Sequence, residues 1–405
     1  MKKLLCLLLI LPFLFTGCGE KKEKTPVTTP LTWETIDAIP VATGDMTEAQ
    51  LRQIVLDFFR LQLSFQWTPR ESFSYTITTY QEPREFQAGT LYAGLPYQGS
   101  SRSGNIYLTM EYYDPETGIL ENSGIDGQEL SHILGNHCTS SPSWAWSRVV
   151  NSVSRYANTC MTQHYGFLPV GDYTYSTMQW SETERTKTVC QDNGAQVMFE
   201  SYALTQPADG LFMFYSLGGN SHCRMVSGSP VVVRNADGTI NPDESYLMYM
   251  DQGSSLKDYT AKDGSVVQLQ GKLDEKATFR DLYDKGYIPF TFAEFTGAAP
   301  VEPASVDLEL PMTATVNDVT GAMITANYPI SYFEVILTDL EGNQTYRMLT
   351  AAENMNVTEK PLGKCLDYGS VNDLLQTADQ LLTVKVRVST GELLTAFDGN
   401  LTLEK

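Results

Sequence analysis

The sequence of 405 residues is poor in the side chains that carry metal or nucleic-acid chemistry. It has only four histidines and seven cysteines, and no two cysteines form a CxxC pair. Lysine and arginine number 28 against 48 aspartates and glutamates, so the formal net charge is −20. Such an acidic surface repels phosphate backbones, and lysine and arginine form no cluster beyond the residues just after Cys18. We therefore expect no nucleic-acid partner and no cofactor.

One apolar run, residues 4 to 15, follows two lysines at the N-terminus. About a dozen residues is too short for a helix to cross a hydrocarbon core of roughly 30 Å, but it suits a signal peptide. The residues that follow, Phe15-Thr16-Gly17-Cys18, resemble the lipobox of bacterial lipoproteins, with Phe15 where leucine is usual. The resemblance implies a signal peptide over residues 1–17 and a lipidated Cys18 that anchors the protein outside the cytoplasmic membrane. An ordinary secretory signal is the alternative.

Composition divides the rest of the chain into three parts. Residues 18–44 are rich in charge, threonine and proline, which predicts a membrane tether ending in an extended segment. Residues 45–299 mix helical periodicity with alternating strands, which predicts an α+β domain with helices packed on an antiparallel sheet. Alternating runs dominate residues 300–405, which are therefore expected to form an all-β, Ig-like sandwich domain.

Several elements of the second part can be placed from local patterns. Asp45 and Glu48 are spaced like a capping box, so we expect a helix that begins at Asp45. A second helix is expected over about residues 141–156, where Pro142 falls close to its start. Turn residues separate three predicted strands, of which the last two would pair as a hairpin: residues 211–215, 222–233 and 246–252.

Cys138 lies just ahead of the apolar, tryptophan-rich stretch SSPSWAWSRVV. A thiolate at the start of a helix is stabilised by free backbone N–H groups and by the helix dipole. The same N–H groups can stabilise the oxyanion that forms when the thiolate attacks a carbonyl. Cys138 is therefore the candidate nucleophile, and the ordinary alternative is a buried cysteine that packs as a small hydrophobic residue.

The other cysteines and the histidines near Cys138 support no further site. Four cysteines are expected to lie in the core: Cys160, Cys190, Cys223 and Cys365. The sequence leaves open a disulfide between the first two. The spacing of His132, His137 and Cys138 matches no common zinc pattern, so we expect no metal.

A nucleophilic thiol needs a general base, and His222 is the best candidate. His132 and His137 lie too close to Cys138 in sequence to approach it from a separate wall unless the loop doubles back. His164 falls in an expected loop. His222 opens a predicted strand after a glycine turn, where a side chain is held firmly yet faces a cleft.

A third group should orient the imidazole. Asp251 and Gln252 end the next predicted strand, beside His222 if the two strands pair. Alternation places the two side chains on opposite faces, so only one can reach the ring. We favour Asp251, with Gln252 behind it, because a carboxylate stabilises the imidazolium more strongly.

Short motifs occur in a characteristic order along residues 45–295. Gly94-Leu95-Pro96-Tyr97 precedes the Cys138 helix, and Gln206-Pro207-Ala208-Asp209 leads a strand towards His222 and the apolar residues after it. This order resembles the papain-like cell-wall cysteine peptidases of the NlpC superfamily. The resemblance implies a papain-like fold and cleavage of a peptide bond, typically in peptidoglycan stem peptides near D-glutamate. It also implies that Tyr97 lies beside the cysteine and helps hold the substrate carbonyl, with Gln98 a weaker candidate.

The chain departs from that family pattern at three places. The usual Asp-Cys-Ser is His137-Cys138-Thr139, Ala208 replaces a glycine, and about 40 residues separate Tyr97 from Cys138. Two other kinds of function therefore stay open. One is a non-catalytic surface lipoprotein that binds glycan or protein. The other is an amidase or acyltransferase, since one acyl-enzyme can pass its acyl group to water or to an amine.

Overall fold

The structure is a computed structural model. It describes residues 31–101, 103–151, 153, 167–175, 186–214, 221–260, 264–352 and 357–403. The expected signal peptide, Cys18, Cys160 and His164 lie outside these residues. Within the described part of the chain, no helix is both long enough and apolar enough to cross a membrane.

Helices and strands alternate irregularly along the described residues. The helices are α1 Trp33–Asp37, α2 Glu48–Ser64, α3 Ile106–Thr109, α4 Gly127–Leu134, α5 Ser140–Trp146, α6 Thr186–Asn193, α7 Ala195–Ala203, α8 Phe279–Lys285, α9 Ala293–Thr296, α10 Val316–Gly321 and α11 Tyr368–Leu375. The strands before residue 300 are β1 Gln66–Pro69, β2 Phe73–Ile77, β3 Glu82–Phe86, β4 Tyr92–Ala93, β5 Tyr113–Asp114, β6 Ile119–Leu120, β7 Phe167–Pro169, β8 Gly210–Phe214, β9 Ser221–Val226, β10 Tyr246–Thr260, β11 Val266–Thr278 and β12 Ile288–Phe292. The later strands are β13 Val306–Leu308, β14 Thr313–Thr315, β15 Met323–Ala326, β16 Ile330–Thr338, β17 Gln344–Ala351, β18 Glu359–Pro361, β19 Gln380–Val388 and β20 Leu393–Thr402.

A mixed sheet of ten described strands lies at the centre of the region before residue 300. Its order is β5-β6-β1-β4-β11-β10-β9-β8-β12-β7. The neighbours β8, β9, β10 and β11 pair antiparallel, whereas β1 with β6 and β4 with β11 pair parallel. The described residues therefore form an α+β fold, as the sequence predicts.

The described residues after residue 300 form two further sheets, two α-helices and a short 3-10 helix, Leu362–Cys365. A three-stranded sheet has the order β13-β15-β18, and a five-stranded sheet has the order β14-β20-β19-β16-β17. The alternating pattern did not predict α10 and α11, which begin at side-chain caps. Thr315 and Asp318 form a reciprocal capping box for α10, and Asp367 caps α11.

Helix α2 begins at Glu48, not at Asp45 as the sequence suggests. Thr47 is the N-cap, and its hydroxyl accepts from the Gln50 N–H while the Gln50 side chain accepts from the Thr47 N–H. Asp45 instead accepts a hydrogen bond from the Thr43 hydroxyl. The apolar face of α2 is buried against α5 and the sheet, so this helix forms the floor beneath the candidate site.

Helix α5 is shorter than its sequence pattern and ends at Trp146. Pro142 stands in its first turn, where a missing backbone N–H costs no helical hydrogen bond. Trp146 anchors the helix, since its ring packs on Phe290 and Phe292 and its Nε1–H donates to the Ala208 carbonyl. Beyond Trp146 the chain continues in turns.

Residues 31–44, which fall in the predicted tether, are folded against the rest of the protein. Leu31 and Ile36 are buried in the main apolar cluster. The buried guanidinium of Arg148 donates to the carbonyls of Ile39 and Pro40, each at 3.0 Å. Burial of these apolar side chains is favourable because it removes their surface from water, so this segment packs into the core.

The buried apolar residues form two large clusters, one on each side of residue 300. Tyr332, on β16, belongs to the first cluster although its strand lies in the second region. Hydrogen bonds also join the regions: the Ser331 hydroxyl donates to Asn105 at 2.7 Å, and the Ser389 hydroxyl donates to the Ser147 carbonyl at 2.9 Å. The division at residue 299 stays a prediction.

Candidate active site

Cys138 lies in the loop between α4 and α5, one residue before the N-cap Thr139. Its side chain is almost buried, with 7% of the residue exposed. The sulfur lies 3.6 Å from the carbonyl oxygen of Ser221, the first residue of β9. Because His222 is the next residue of that strand, this contact brings the thiol and the imidazole into one place.

The imidazoles of His137 and His222 are the two neighbours that lower the pKa of the Cys138 thiol. Burial opposes the charged thiolate and by itself would raise the thiol pKa. The hydrogen bonds from both rings, together with their charges, outweigh burial and lower the pKa of Cys138 to about 5. A thiol with such a pKa is a thiolate at neutral pH, which is the form that attacks a carbonyl.

The backbone N–H groups at the start of α5 do not serve the thiolate as the sequence suggests. The N–H groups of Thr139 and Ser140 donate instead to Nδ1 of His137, at 3.2 and 3.3 Å. The low pKa of Cys138 therefore comes from imidazole contacts, not from the helix terminus.

His222 is held by a buried carboxylate. Its Nε2 lies 2.9 Å from Oδ2 of Asp251, whose side chain is 2% exposed, while the His222 side chain is 23% exposed. Burial disfavours the imidazolium, but the hydrogen bonds to Asp251 and Cys138 outweigh it and raise the pKa of His222 to about 9. Since Nε2 faces Asp251, Nδ1 is the ring nitrogen left to face the thiol.

The pairing of β9 with β10 explains how Asp251 reaches His222. Met225 and Met250 are Cα partners in an antiparallel register. Asp251, the residue after Met250, therefore lies beside the first residues of β9, which include His222. A register irregularity of β10 against β11 lies between Tyr249 and Asp251. Such irregularities re-aim side chains at functional edges of sheets.

Two cations also lie beside Asp251. Nε of Arg224 is 3.4 Å and Nζ of Lys272 is 3.6 Å from the same carboxylate oxygen. Burial raises the pKa of Asp251, but the hydrogen bond to His222 and the charges of His222, Lys272 and Arg224 outweigh it, so the pKa is lowered. The carboxylate therefore stays charged and favours a charged imidazole.

The sequence reading missed Arg224 and Lys272. Arg224 follows His222 by two residues, so strand alternation alone places both on one face of β9. Its guanidinium lies over the rings of Tyr249 and Tyr287, at 4.0 and 4.4 Å from their centroids. Lys272 comes from β11 opposite Asp251, a pairing that no local pattern indicates.

Gln252 binds other groups. Its Nε2 donates to the Leu95 carbonyl at 2.8 Å, and its Oε1 accepts from the Ser141 hydroxyl at 3.1 Å. The side chain thus ties the loop before Tyr97 to helix α5. Gln252 helps to position the site, and Asp251 is the residue that contacts His222.

The phenol of Tyr97 reaches the thiol of Cys138. The backbone around it is fixed: the Asn136 N–H donates to the Pro96 carbonyl at 3.0 Å, and Gln270 accepts from the Tyr97 N–H at 2.8 Å. Burial and the negative charge on Cys138 raise the pKa of Tyr97. The phenol therefore keeps its proton and can donate it to a developing negative charge.

Gln98, the weaker candidate, is fully buried beside the β2–β3 hairpin. Its amide accepts from the Thr78 N–H at 3.0 Å and donates to Thr76 and Ser131, both at 3.1 Å. These contacts occupy the side chain in holding the loop. Gln98 therefore supports Tyr97 from behind and does not face the thiol.

The remaining cysteines and His132 lie in other surroundings. Cys190, Cys223 and Cys365 are buried free thiols, and burial raises the pKa of Cys190 to about 12 and that of Cys365 to about 11. His132, on α4, contacts the Gln128 amide at 3.2 Å. In the described ranges, no three His, Cys, Asp or Glu side chains are grouped as metal ligands would be.

The Gln206-Pro207-Ala208-Asp209 turn supports the site from below. Asp209 is buried and binds Arg52 of α2 at 2.7 Å, and its other oxygen accepts from the Gln206 N–H at 2.7 Å. Ala208 has φ of +71°, the left-handed conformation that glycine adopts most easily. Alanine at this position therefore keeps the turn at the cost of some backbone strain.

Comparison with known proteins does not assign the chain to a family. No protein-family model matches its sequence, and no match is found among curated proteins. What the protein does must therefore be inferred from the geometry around Cys138.

Proposed function

We propose that the protein is an extracytoplasmic cysteine hydrolase with a papain-like fold, which cleaves a peptide bond in peptidoglycan stem peptides. The chain of contacts from Asp251 through His222 to Cys138 carries the proposal. Cys190 and Cys365 are also buried, yet burial raises their pKa values, and no imidazole of the described residues lowers them. The substrate class rests on the order of the sequence motifs and on the exported location that the N-terminus predicts.

Acylation would start from the Cys138 thiolate and the protonated His222. The thiolate attacks the carbonyl carbon of the scissile bond, which forms an S–C bond and a tetrahedral oxyanion. His222 then gives its Nδ1 proton to the amide nitrogen, the C–N bond breaks, and the amine product leaves. Asp251 keeps the ring oriented and stabilises its charge until the proton is transferred.

Deacylation would use the same histidine in the opposite sense. Neutral His222 takes a proton from water as the water oxygen attacks the thioester carbonyl. The C–S bond breaks, the carboxylic acid product leaves, and both the thiolate and the imidazolium are restored. The phenol of Tyr97, which keeps its proton because its pKa is raised, would donate a hydrogen bond to the oxyanion in both steps.

The proposal predicts that Cys138→Ala abolishes hydrolysis without unfolding the protein, because the change removes one small side chain at a cleft wall. Purified stem peptides would be incubated with each variant, and new amino termini would be followed by mass spectrometry. We expect a loss of at least about 10³-fold, as for removal of a catalytic nucleophile. Cys190→Ala, which removes a core thiol whose pKa is raised by burial, is the matched control and should keep the wild-type rate.

Two outcomes would reject the hydrolase. Cleavage at the wild-type rate by Cys138→Ala would show that Cys138 is not the nucleophile. A wild-type Cys138 that reacts with iodoacetamide no faster than an ordinary thiol would instead favour the non-catalytic binding protein. If an added amine receives the acyl group in preference to water, the protein is an acyltransferase that uses the same thiolate.

A further inference from the structure

Three basic side chains converge on one oxygen of Asp251, and the proposed reaction uses only one of them. Nε2 of His222 lies 2.9 Å from Oδ2. Nε of Arg224 lies 3.4 Å and Nζ of Lys272 lies 3.6 Å from the same oxygen. The carboxylate is almost buried, with its side chain 2% exposed, so water screens these interactions little. One negative charge is thus shared among three basic groups.

Two aromatic rings fix the guanidinium of Arg224. Its central carbon lies 4.0 Å from the ring centroid of Tyr249 and 4.4 Å from that of Tyr287. The side chain is 9% exposed, and its buried Nε finds no hydrogen-bond partner in the described part of the chain. An arginine keeps its charge in a protein. Arg224 therefore brings a permanent, buried positive charge to Asp251.

The charge of Arg224 acts against the imidazolium of His222. Two positive charges beside one oxygen repel each other, and each weakens the attraction that the carboxylate has for the other. Arg224 follows His222 by two residues on β9, so both side chains project from one face of the strand. We propose that Arg224 is a positioning residue that competes with His222 for Oδ2 of Asp251 and so makes the imidazolium a readier proton donor. This inference rests on the proposed function, in which His222 protonates the leaving amine.

A competing cation suits a histidine that must give up its proton in every turnover. As the C–N bond of the substrate breaks, the Nδ1 proton of His222 moves to the departing nitrogen and the ring becomes neutral. Asp251 then loses the charge of its partner, and a buried carboxylate without a cation is costly. That cost by itself would hold the proton on the ring. Because Arg224 stays beside Oδ2 after the transfer, the carboxylate remains compensated and the proton can leave.

Lys272 should have the same effect in a weaker form. Its Nζ donates to the Tyr249 hydroxyl at 3.1 Å. Its side chain is 29% exposed, against 9% for Arg224, so solvent screens its charge more strongly. The structure therefore predicts an order of effect in which Arg224 comes before Lys272.

The groups that face His222 decide the direction of the effect. In the described part of the chain they are Cys138 before α5, Arg224 on β9, Asp251 on β10, Lys272 on β11 and Tyr287 before β12. Burial lowers the pKa of His222, but the contacts to Asp251 and Cys138 outweigh it and raise the pKa to about 9. Burial also raises the pKa of Tyr287, so this phenol stays neutral. Loss of a positive charge at position 224 should therefore raise the His222 pKa further.

The test is the titration of His222 in the purified protein, followed by nitrogen-15 NMR of labelled histidine and, in parallel, by the pH dependence of kcat/KM. Arg224→Met keeps a long apolar side chain and removes the charge. We expect the NMR midpoint and the falling limb of the rate to move upward by about one unit, which leaves roughly tenfold more imidazolium above pH 9. Arg224→Lys restores a charge and should return both towards the wild-type values.

Two further variants complete the experiment. Lys272→Met should move the midpoint in the same direction by a smaller amount, and it decides the question if Arg224→Met fails to fold. Arg280→Met is the matched control, because it removes an arginine that also lies over an aromatic ring, 5.6 Å from the centroid of Phe199. This control should change neither curve.

The sign of the shift separates the roles that Arg224 could have. A downward shift in Arg224→Met would mean that Arg224 holds Asp251 in place for His222, and an unchanged midpoint would mean that the side chain only packs. Either result overturns the inference, as does a downward or unchanged midpoint in Lys272→Met when that variant alone folds. An upward NMR shift in a protein whose wild type cleaves no stem peptide would support the competition for Oδ2 and reject the proposed function.

Discussion

At the scale of single residues, buried thiols differ in what touches them. Burial by itself acts to raise the thiol pKa of Cys138, Cys190 and Cys365. The pKa of Cys138 alone among these three is lowered, because two imidazoles lie against its sulfur. A shift of one pKa unit corresponds to about 1.4 kcal/mol, so contacts of this kind decide whether a cysteine is inert or reactive at neutral pH.

The shifted pKa values predict a bell-shaped dependence of the hydrolysis rate on pH. The lowered thiol pKa means that the thiolate is lost as the pH falls through about 5. The raised imidazole pKa means that the imidazolium is lost as the pH rises through about 9. The rate, measured as kcat/KM, should therefore rise through the first value, stay high between them, and fall through the second.

Asp251→Asn is the informative variant for this profile. It removes the carboxylate that raises the His222 pKa, so the falling limb should move to lower pH. Asp243→Asn, which alters a carboxylate exposed on the surface, is the control and should leave the profile unchanged. A falling limb at the same pH in Asp251→Asn would show that this carboxylate does not govern the imidazole.

At the scale of elements, the loop before Tyr97 is positioned by close backbone contacts. Gly94 has φ of +75°, and a Cβ at this position would lie 2.6 Å from the carbonyl oxygen of Leu63. The Gly94 N–H donates to the Phe65 carbonyl at 2.9 Å, and the Trp67 ring donates to the Gly94 carbonyl at 2.8 Å. The loop that carries Tyr97 therefore passes directly over the C-terminal end of α2.

Gly94→Ala is expected to cost stability and activity together. The left-handed backbone costs a residue with a Cβ about 1 kcal/mol, and the overpacking adds about 1 to 3 kcal/mol. Gly238→Ala is the matched control, because Gly238 has φ of +88° and no atom within 4 Å of an added Cβ. Gly238→Ala should lose only the stability that the left-handed backbone costs, and it should keep the wild-type kcat. Chemical denaturation and hydrolysis assays would measure both effects, and equal losses in the two variants would contradict the close contact.

At the scale of the whole molecule, segments distant in sequence meet around the turn after α5. The Arg148 guanidinium binds two carbonyls of the 31–44 segment and contacts the Tyr107 hydroxyl. A Cβ on Gly391, in the C-terminal region, would clash with the same guanidinium. The helix that follows Cys138 is thus stabilised from both ends of the chain.

Membrane anchorage is the prediction that belongs to the whole chain. If Cys18 is lipidated, the full-length protein should partition into the detergent phase, since acyl chains bind membranes in proportion to their buried methylene groups. Cys18→Ala should release the protein from the membrane or leave its signal peptide uncleaved. Cys6→Ala, which changes the other cysteine near the N-terminus, is the control and should behave as the wild type. Unchanged membrane association of a Cys18→Ala protein whose signal peptide has been cleaved would refute the lipoprotein.

Local patterns in the sequence were enough to predict the α+β class and the pairing of β9 with β10. They misplaced the strand ends, since β9 ends at Val226 and not at residue 233, and β10 continues past residue 252 to Thr260. Alternation and charge also separated Asp251 from Gln252, because both are properties of neighbouring residues on one strand. Those patterns suffice where an element's own periodicity decides its structure.

Only the tertiary structure decided the rest of the site. Arg148, just beyond the end of α5, finds carbonyl partners 109 and 108 residues away in sequence. Nδ1 of His137 accepts from the backbone at the start of α5, and Lys272 reaches Asp251 across a strand pair. Each of these arrangements depends on a donor or acceptor supplied by a distant segment or by the exact path of a loop. Such partners leave no periodic pattern in the sequence. A buried polar group needs a hydrogen-bond partner, but that partner can come from any segment that the fold brings near.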